Sequence, residues 1–211
     1  MANQTVRPGL IAAARVLDTI QDVIAGIGKI SCWLILGIIA TVLLSVLAGV
    51  LGINQFLFWD GEVFLFSDAI TLNSLLELQW YMFGVMLMLT GAYALRDNRH
   101  VRVDVVASRF SPTTARVVEI LGDLIFLLPL CIILIDRSLP LLELSYRTGE
   151  RSNEDGLTHR WVIKMFVPIG FALLTVLGVT RVLRNILVLM GVPDRAPPPG
   201  AARPEGAAHG G

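Results

Sequence analysis

The chain of 211 residues has two cysteines, three histidines and charged side chains at only 16% of its positions. Each scarcity excludes something. Cys32 and Cys131 fall toward opposite ends of separate apolar runs, so no disulfide is expected between them, and two thiols make no metal framework. His100, His159 and His209 all lie outside the apolar runs, which argues against a haem-carrying membrane anchor for an electron-transfer enzyme. No phosphate-binding loop, nucleophile elbow or HExxH pattern occurs, so neither an enzyme nor a bound cofactor is expected. Basic and acidic residues balance at 17 each, and no surplus of positive charge points to nucleic acid.

What the chain has in plenty is apolar residues. They make up 55% of the composition, and the mean hydropathy of +0.70 is too high for a soluble domain of this length. Four runs, near 30–53, 76–95, 117–136 and 163–187, approach or exceed the roughly 20 residues that cross about 30 Å of hydrocarbon as a helix. The expected fold is all-α: an integral membrane protein with four transmembrane helices. The first run is longer than a signal-peptide core and begins some thirty residues in, so it is expected to stay in the mature protein.

Orientation follows from lysine and arginine. With four crossings, twelve basic residues fall on the face that holds both termini and five on the other, which predicts cytoplasmic termini in an inner membrane. Five of the twelve sit in the ribbon LRDNRHVRVDVVASRFSPTTARVVE: Arg96, Arg99, Arg102, Arg109 and Arg116. As residues alone they read as topology signals and partners for lipid headgroups. Aromatic side chains agree, with Trp33 and Tyr93 at inner ends and Trp59, Trp80, Tyr81 and Trp161 at outer ends.

Residues 1–29 form a cytoplasmic N-terminus in which Leu10, Ala14, Leu17, Gln21, Ile24 and Ile27 share one helical face, while Arg15, Asp18 and Asp22 lie elsewhere. That pattern predicts an amphipathic helix lying on the inner surface, or equally an arm that docks on another subunit. Residues 30–190 form the four-helix membrane domain. Residues 191–211 are rich in proline, glycine and alanine and read as a disordered cytoplasmic tail. In the first outer loop, QFLFWDGEVFLFS places two aromatic-rich runs about Asp60-Gly61, which fits a hairpin or an interfacial wedge of phenylalanines.

Ser111 and Pro112 announce the start of the third helix, as a cap and a first-turn proline. Glu119 and Asp123 follow four residues apart. They read as an intramembrane ion or proton site, or as headgroup-depth carboxylates that pair with nearby arginines or face a partner; no matching ligands are found for them in the other spans. Pro129 and Pro168 can kink their helices. The pairs Ser45 and Gly49, Ala48 and Gly52 could admit a closely packed helix.

Two motifs carry a resemblance. ELQWYMFGVMLMLTGAYALRDNR followed by HVRVDVVASRFSPTTARVVEILGDLIF resembles the small membrane subunit, the Q component, of tripartite ATP-independent periplasmic (TRAP) transporters. Glu77, Trp80, Arg96, His100, Val101, Arg102, Val103, Asp104, Ser111 and Pro112 stand at the positions of the first signature. SYRTGERSNEDGLTHRWVIKMFVPIGFALL resembles the second, through Ser152, Gly156, Leu157, Arg160, Trp161, Lys164, Pro168 and Gly170. The resemblance implies a scaffold subunit that packs against a large multi-span transport subunit. It implies also a periplasmic solute-binding protein that delivers solute, often an organic acid, and uptake driven by an ion gradient. Under it Glu77, Trp80, Arg96, His100, Arg102, Asp104, Asp123, Arg160, Trp161 and Lys164 are candidates for bracing loops or meeting the partner. The alternatives are an autonomous homo-oligomeric transporter or channel that uses Glu119 and Asp123, and an anchor for an electron-transfer enzyme.

Overall fold

The computed structural model describes residues 8–61, 63–97, 111–153 and 156–194. The ribbon residues Arg99, His100, Val101, Arg102, Val103, Asp104 and Arg109, and the tail beyond residue 194, lie outside them. The elements are α1 (Pro8–Ser31), α2 (Leu34–Leu51), a hairpin of β1 (Gln55–Phe58) and β2 (Ala69–Thr71), α3 (Leu72–Arg96), α4 (Pro112–Gly122), a π-helical turn over Asp123–Leu127, α5 (Leu128–Arg147) and α6 (Trp161–Leu189). Four helical stretches are long and apolar enough to cross a membrane: Pro8–Leu51, Leu72–Arg96, Thr113–Arg147 and Trp161–Leu189.

Local chemistry sets these boundaries. α3 starts at Leu72, four residues before the expected 76, because Thr71 and Ser74 form a capping box: Thr71 Oγ1 accepts from Ser74 N at 3.1 Å and Ser74 Oγ from Thr71 N at 3.2 Å. α2 stops where Gly52 takes a left-handed φ of 69° and Ile53 N donates back to Ala48 O at 2.9 Å. Between α1 and α2 the ladder tightens, with Trp33 N donating to Ile30 O at 3.0 Å and Ile35 N to Cys32 O at 3.2 Å. Ser111 caps α4 as expected, its hydroxyl accepting from Thr114 N at 3.2 Å. The third helical stretch then runs on to Arg147, well past the expected 136. Its π turn lies just before Pro129, which has no N–H to give the carbonyl four residues back.

The main packing contacts join α2 to α3, α3 to α6 and α6 to α5, with α1 laid across α3 and α6. The membrane helices therefore stand in an open row, with α2 and α5 at its edges. A buried core forms where α1 crosses the row: Ile24, Ala92, Leu95 and Leu177, with Leu127, Leu173 and Leu174 packed on it. The inward face of α1 is largely the expected one, with Ala14 and Ile24 buried, but it continues through Gly28 and Ser31 while Ile27 is exposed. Its own chain covers the stripe that the sequence reads as facing lipid or another subunit.

Close approach of α3 to α1 and α6 depends on glycine. A Cβ on Gly28 would lie 2.6 Å from Tyr93 Cβ and 2.8 Å from Leu89 O, and one on Gly170 would lie 2.8 Å from Met88 Cβ and 2.9 Å from Met88 O. Backbone atoms cannot yield as a side-chain tip can. Gly28→Ala and Gly170→Ala are each expected to cost about 1–3 kcal/mol, read as a lower thermal midpoint in detergent, whereas Gly49→Ala, with open space at its Cβ, should hold or raise it, since alanine is the better helix former. The small-residue pattern of α2 accordingly divides: Ser45 and Ala48 are buried, with Ser45 Oγ accepting from Gln79 Nε2 at 3.1 Å, while a Cβ on Gly49 or Gly52 would meet open space.

Candidate functional site

The row has two polar ends. One carries the hairpin and the loop between α5 and α6; the other carries the ends of the arginine ribbon. At the hairpin end the centre is Glu77, on the second turn of α3. Its Oε1 accepts from Ser152 Oγ at 2.5 Å and from the Arg160 guanidinium at 3.2 Å, and its Oε2 accepts from Leu157 N at 2.8 Å. A Cβ on Gly156 would lie 2.5 Å from the carboxylate carbon, so only glycine lets the loop close on this acid. The loop folds inward because Ser152 N donates to Leu157 O at 3.1 Å and Arg160 N to Glu150 O at 3.1 Å. His159 takes a left-handed φ of 57° to complete the turn.

The hairpin is tied to the same loop. Thr158 N donates to Leu65 O at 3.0 Å, Phe66 bridges to Leu157, and Phe64 stacks on His159 with ring centroids 5.2 Å apart. Trp161 meets Tyr146 edge-on at 5.4 Å, and Lys164 bonds Glu150. Both readings of the first loop hold in part: β1 pairs with β2, the register being Gln55 with Thr71 and Phe58 with Ala69, while Phe58 and Phe64 stay exposed. The strand register pairs the first run with Ala69–Thr71 rather than with the second run, whose Phe66 bridges to Leu157, although Trp59 Nε1 still donates to Ser67 O at 2.9 Å.

The Lys164 bond holds the Glu150 carboxyl below the usual carboxylate range, as the largest of several causes. The folded value lies below the unfolded one, so the contact stabilises fully above the unfolded value and is lost as pH falls through the folded value. The thermal midpoint is expected to fall on acidification below about pH 4, and Lys164→Gln should flatten that dependence when midpoints are compared across the same pH series.

At the ribbon end a second network joins α1, the end of α3, α4, the π turn and α6. Arg181 Nε lies 3.3 Å from Asp123 Oδ2 and its terminal nitrogen 3.8 Å from Glu119 Oε2. Asn185 Nδ2 donates to Glu119 at 3.3 Å and Asn185 Oδ1 accepts from Arg116 at 3.4 Å. Arg184 Nε donates to Asp18 at 3.0 Å, Arg96 bonds Asp22 and Asp97, and Arg116 bonds Asp194. Glu119 and Asp123 thus pair with an arginine, as the second of their two readings has it, and α6 supplies that arginine together with Asn185.

Of the expected site residues, the structure brings Glu77 and Arg160 together, places Trp161 and Lys164 in the same cap, and puts Arg96 and Asp123 at the opposite end. Trp80 stands apart, 72% exposed beside Phe83. His100, Arg102 and Asp104 lie outside the described residues. The residues that sequence reading misses are Arg181, Arg184 and Asn185 of α6, with Asp18 and Asp22 of α1. A signal was there: three polar side chains within the last apolar run need partners inside the protein.

Residues 63–188 match the family model described as tripartite ATP-independent periplasmic transporters, DctQ component. No protein of curated function and no solved structure matches the chain.

Proposed function

The chain belongs to the DctQ component family of tripartite ATP-independent periplasmic transporters, and from that premise we propose that it is the small scaffold subunit of such a transporter. The family is one of transport components, not of enzymes. In this reading the row packs against a large multi-span membrane subunit, which carries the solute and ion sites, while a periplasmic binding protein delivers the solute. Uptake of an organic acid driven by an ion gradient is the activity the complex would perform. The ribbon end faces the cytoplasm of a bacterial inner membrane, with both termini on that side, in line with its excess of lysine and arginine.

The observation that carries the scaffold reading is the state of the carboxylates on the packed faces. Glu77, Glu119 and Asp123 each face an arginine at an end of the row. Charges so engaged brace helices, whereas a transport path wants groups free to exchange partners at mid-membrane. Purification of the tagged chain in mild detergent should bring down a larger multi-span protein in stoichiometric amount. Solute movement by the chain alone in liposomes would overturn the reading in favour of an autonomous transporter.

A further inference from the structure

Asp136 and Arg137 on α5 are adjacent, with Arg137 Nε 3.5 Å from Asp136 Oδ2, and their side chains are 71% and 81% exposed. Their depth makes this unusual. Tyr146, ten residues further along α5, packs on Trp161 at the first residue of α6. Asp123, thirteen residues before Asp136, meets Arg181 near the far end of α6. At 1.5 Å per helical residue Asp136 therefore lies about 10 Å from Glu143, which is 60% exposed and pairs with Arg147, and about 20 Å from Asp123 at the other end. Between Lys164 and Arg181 the apposed helix α6 has no ionisable residue, so the surrounding layer is apolar on the protein's own side.

An arginine near a helix end can reach the headgroups by extending its side chain along the helix. The short Asp136 side chain cannot do that, and lipid tails offer it nothing. Ionisable residues inside a membrane face protein or a water-filled cavity. Yet the protein's own helices do not cover this face: α5 packs mainly on α6, and it does so through Cys131, Ser138 and Ser145, which are buried. Ile133, Leu141 and Leu144 lie with Arg137 on the exposed side. This exposed side carries one acid and one base side by side, two turns before the Glu143–Arg147 pair at its outer margin.

We propose that this face of α5 is the surface that docks on the large membrane subunit, which meets Asp136 and Arg137 with an intramembrane donor and acceptor of its own. The assignment rests on the scaffold reading above and deepens it. A docked helix removes the pair from lipid and closes the open edge of the row, while the acid and base side by side fix its register. A polar residue within an otherwise apolar contact selects alignment in this way.

The test uses the full complex in native membranes, with a photo-reactive amino acid placed in turn at Ile133, at Leu141 and, as a control, at Val50 on α2, which is 79% exposed. Crosslinks to the large subunit are expected from both α5 positions. Asp136→Leu with Arg137→Leu should abolish them, together with co-purification of the large subunit, while the chain still accumulates in the membrane. Crosslinks from Val50 but from neither α5 position would overturn the assignment, as would crosslinks from α5 only to lipid or to a second copy of this chain. In each of those outcomes co-purification of the unaltered chain with its larger partner would leave the scaffold reading standing. If the unaltered chain brings down no larger membrane protein, the scaffold reading fails and the docking assignment falls with it.

Discussion

Glu77→Ala is expected to unhook the loop between α5 and α6 and to lower stability by about 3 kcal/mol, since hydrogen bonds to a charged group are the stronger kind and a stranded buried donor adds its own penalty. The carboxylate accepts from Ser152 Oγ, Leu157 N and Arg160 at once. Leu157 is fully buried, so water cannot readily replace the acid at its N–H. Glu77→Gln tests the charge separately. An amide oxygen can keep the two donors that Oε1 holds, but the NH2 in place of Oε2 cannot accept from Leu157 N, so the variant should fall between wild type and alanine. Gly156→Ala should reproduce the loss without touching the acid, because its Cβ would occupy the carboxylate's place. Thermal unfolding in detergent reads the energy, and trypsin cleavage after Arg151 reads the loop. A wild-type midpoint and cleavage rate in both Glu77→Ala and Gly156→Ala would refute the clasp.

That clasp was half legible. Glu77, Ser152, Gly156, Leu157 and Arg160 all stand in the two signature runs, and the all-α membrane class follows from apolar length alone. Spacing in the chain could not show that the runs meet, because 75 residues separate Glu77 from Ser152. Their contact depends on α3 and α6 running in the same direction side by side, which is a property of the packed row. Pro129 announced an irregularity, but not that the preceding turn would absorb it as a π turn. The ribbon-end network was less legible still. Arg181 and Arg184 end an apolar run and look like cytoplasmic topology signals, a reading that needs no partner. Asp18 and Asp22 look like the wet face of an amphipathic helix. Only the crossing of α1 over α3 and α6 turns these into ion pairs, and the open row is what leaves space for that crossing.

Arg181→Leu should then be the most damaging single change at the ribbon end, costing about 3–5 kcal/mol, the range for stripping one partner from a buried pair. Asp123 is 10% exposed and Glu119 27%; without the guanidinium, two carboxylates on adjacent turns face each other in an apolar setting. Arg181→Lys should recover only part of the loss, as an ammonium cannot reach two acids in the planar fork that guanidinium offers. The decisive comparison is the double variant Asp123→Leu with Arg181→Leu. If the pair acts as a brace, removing both charges should cost less than removing Arg181 alone, because no deeply buried charge is stranded and Glu119 keeps its bond from Asn185. A double variant as unstable as the sum of its parts would mean that Arg181 stabilises through packing rather than charge. The two acids would then regain standing as groups free to carry an ion, and the case for a passive scaffold would weaken at the place where it is now best supported.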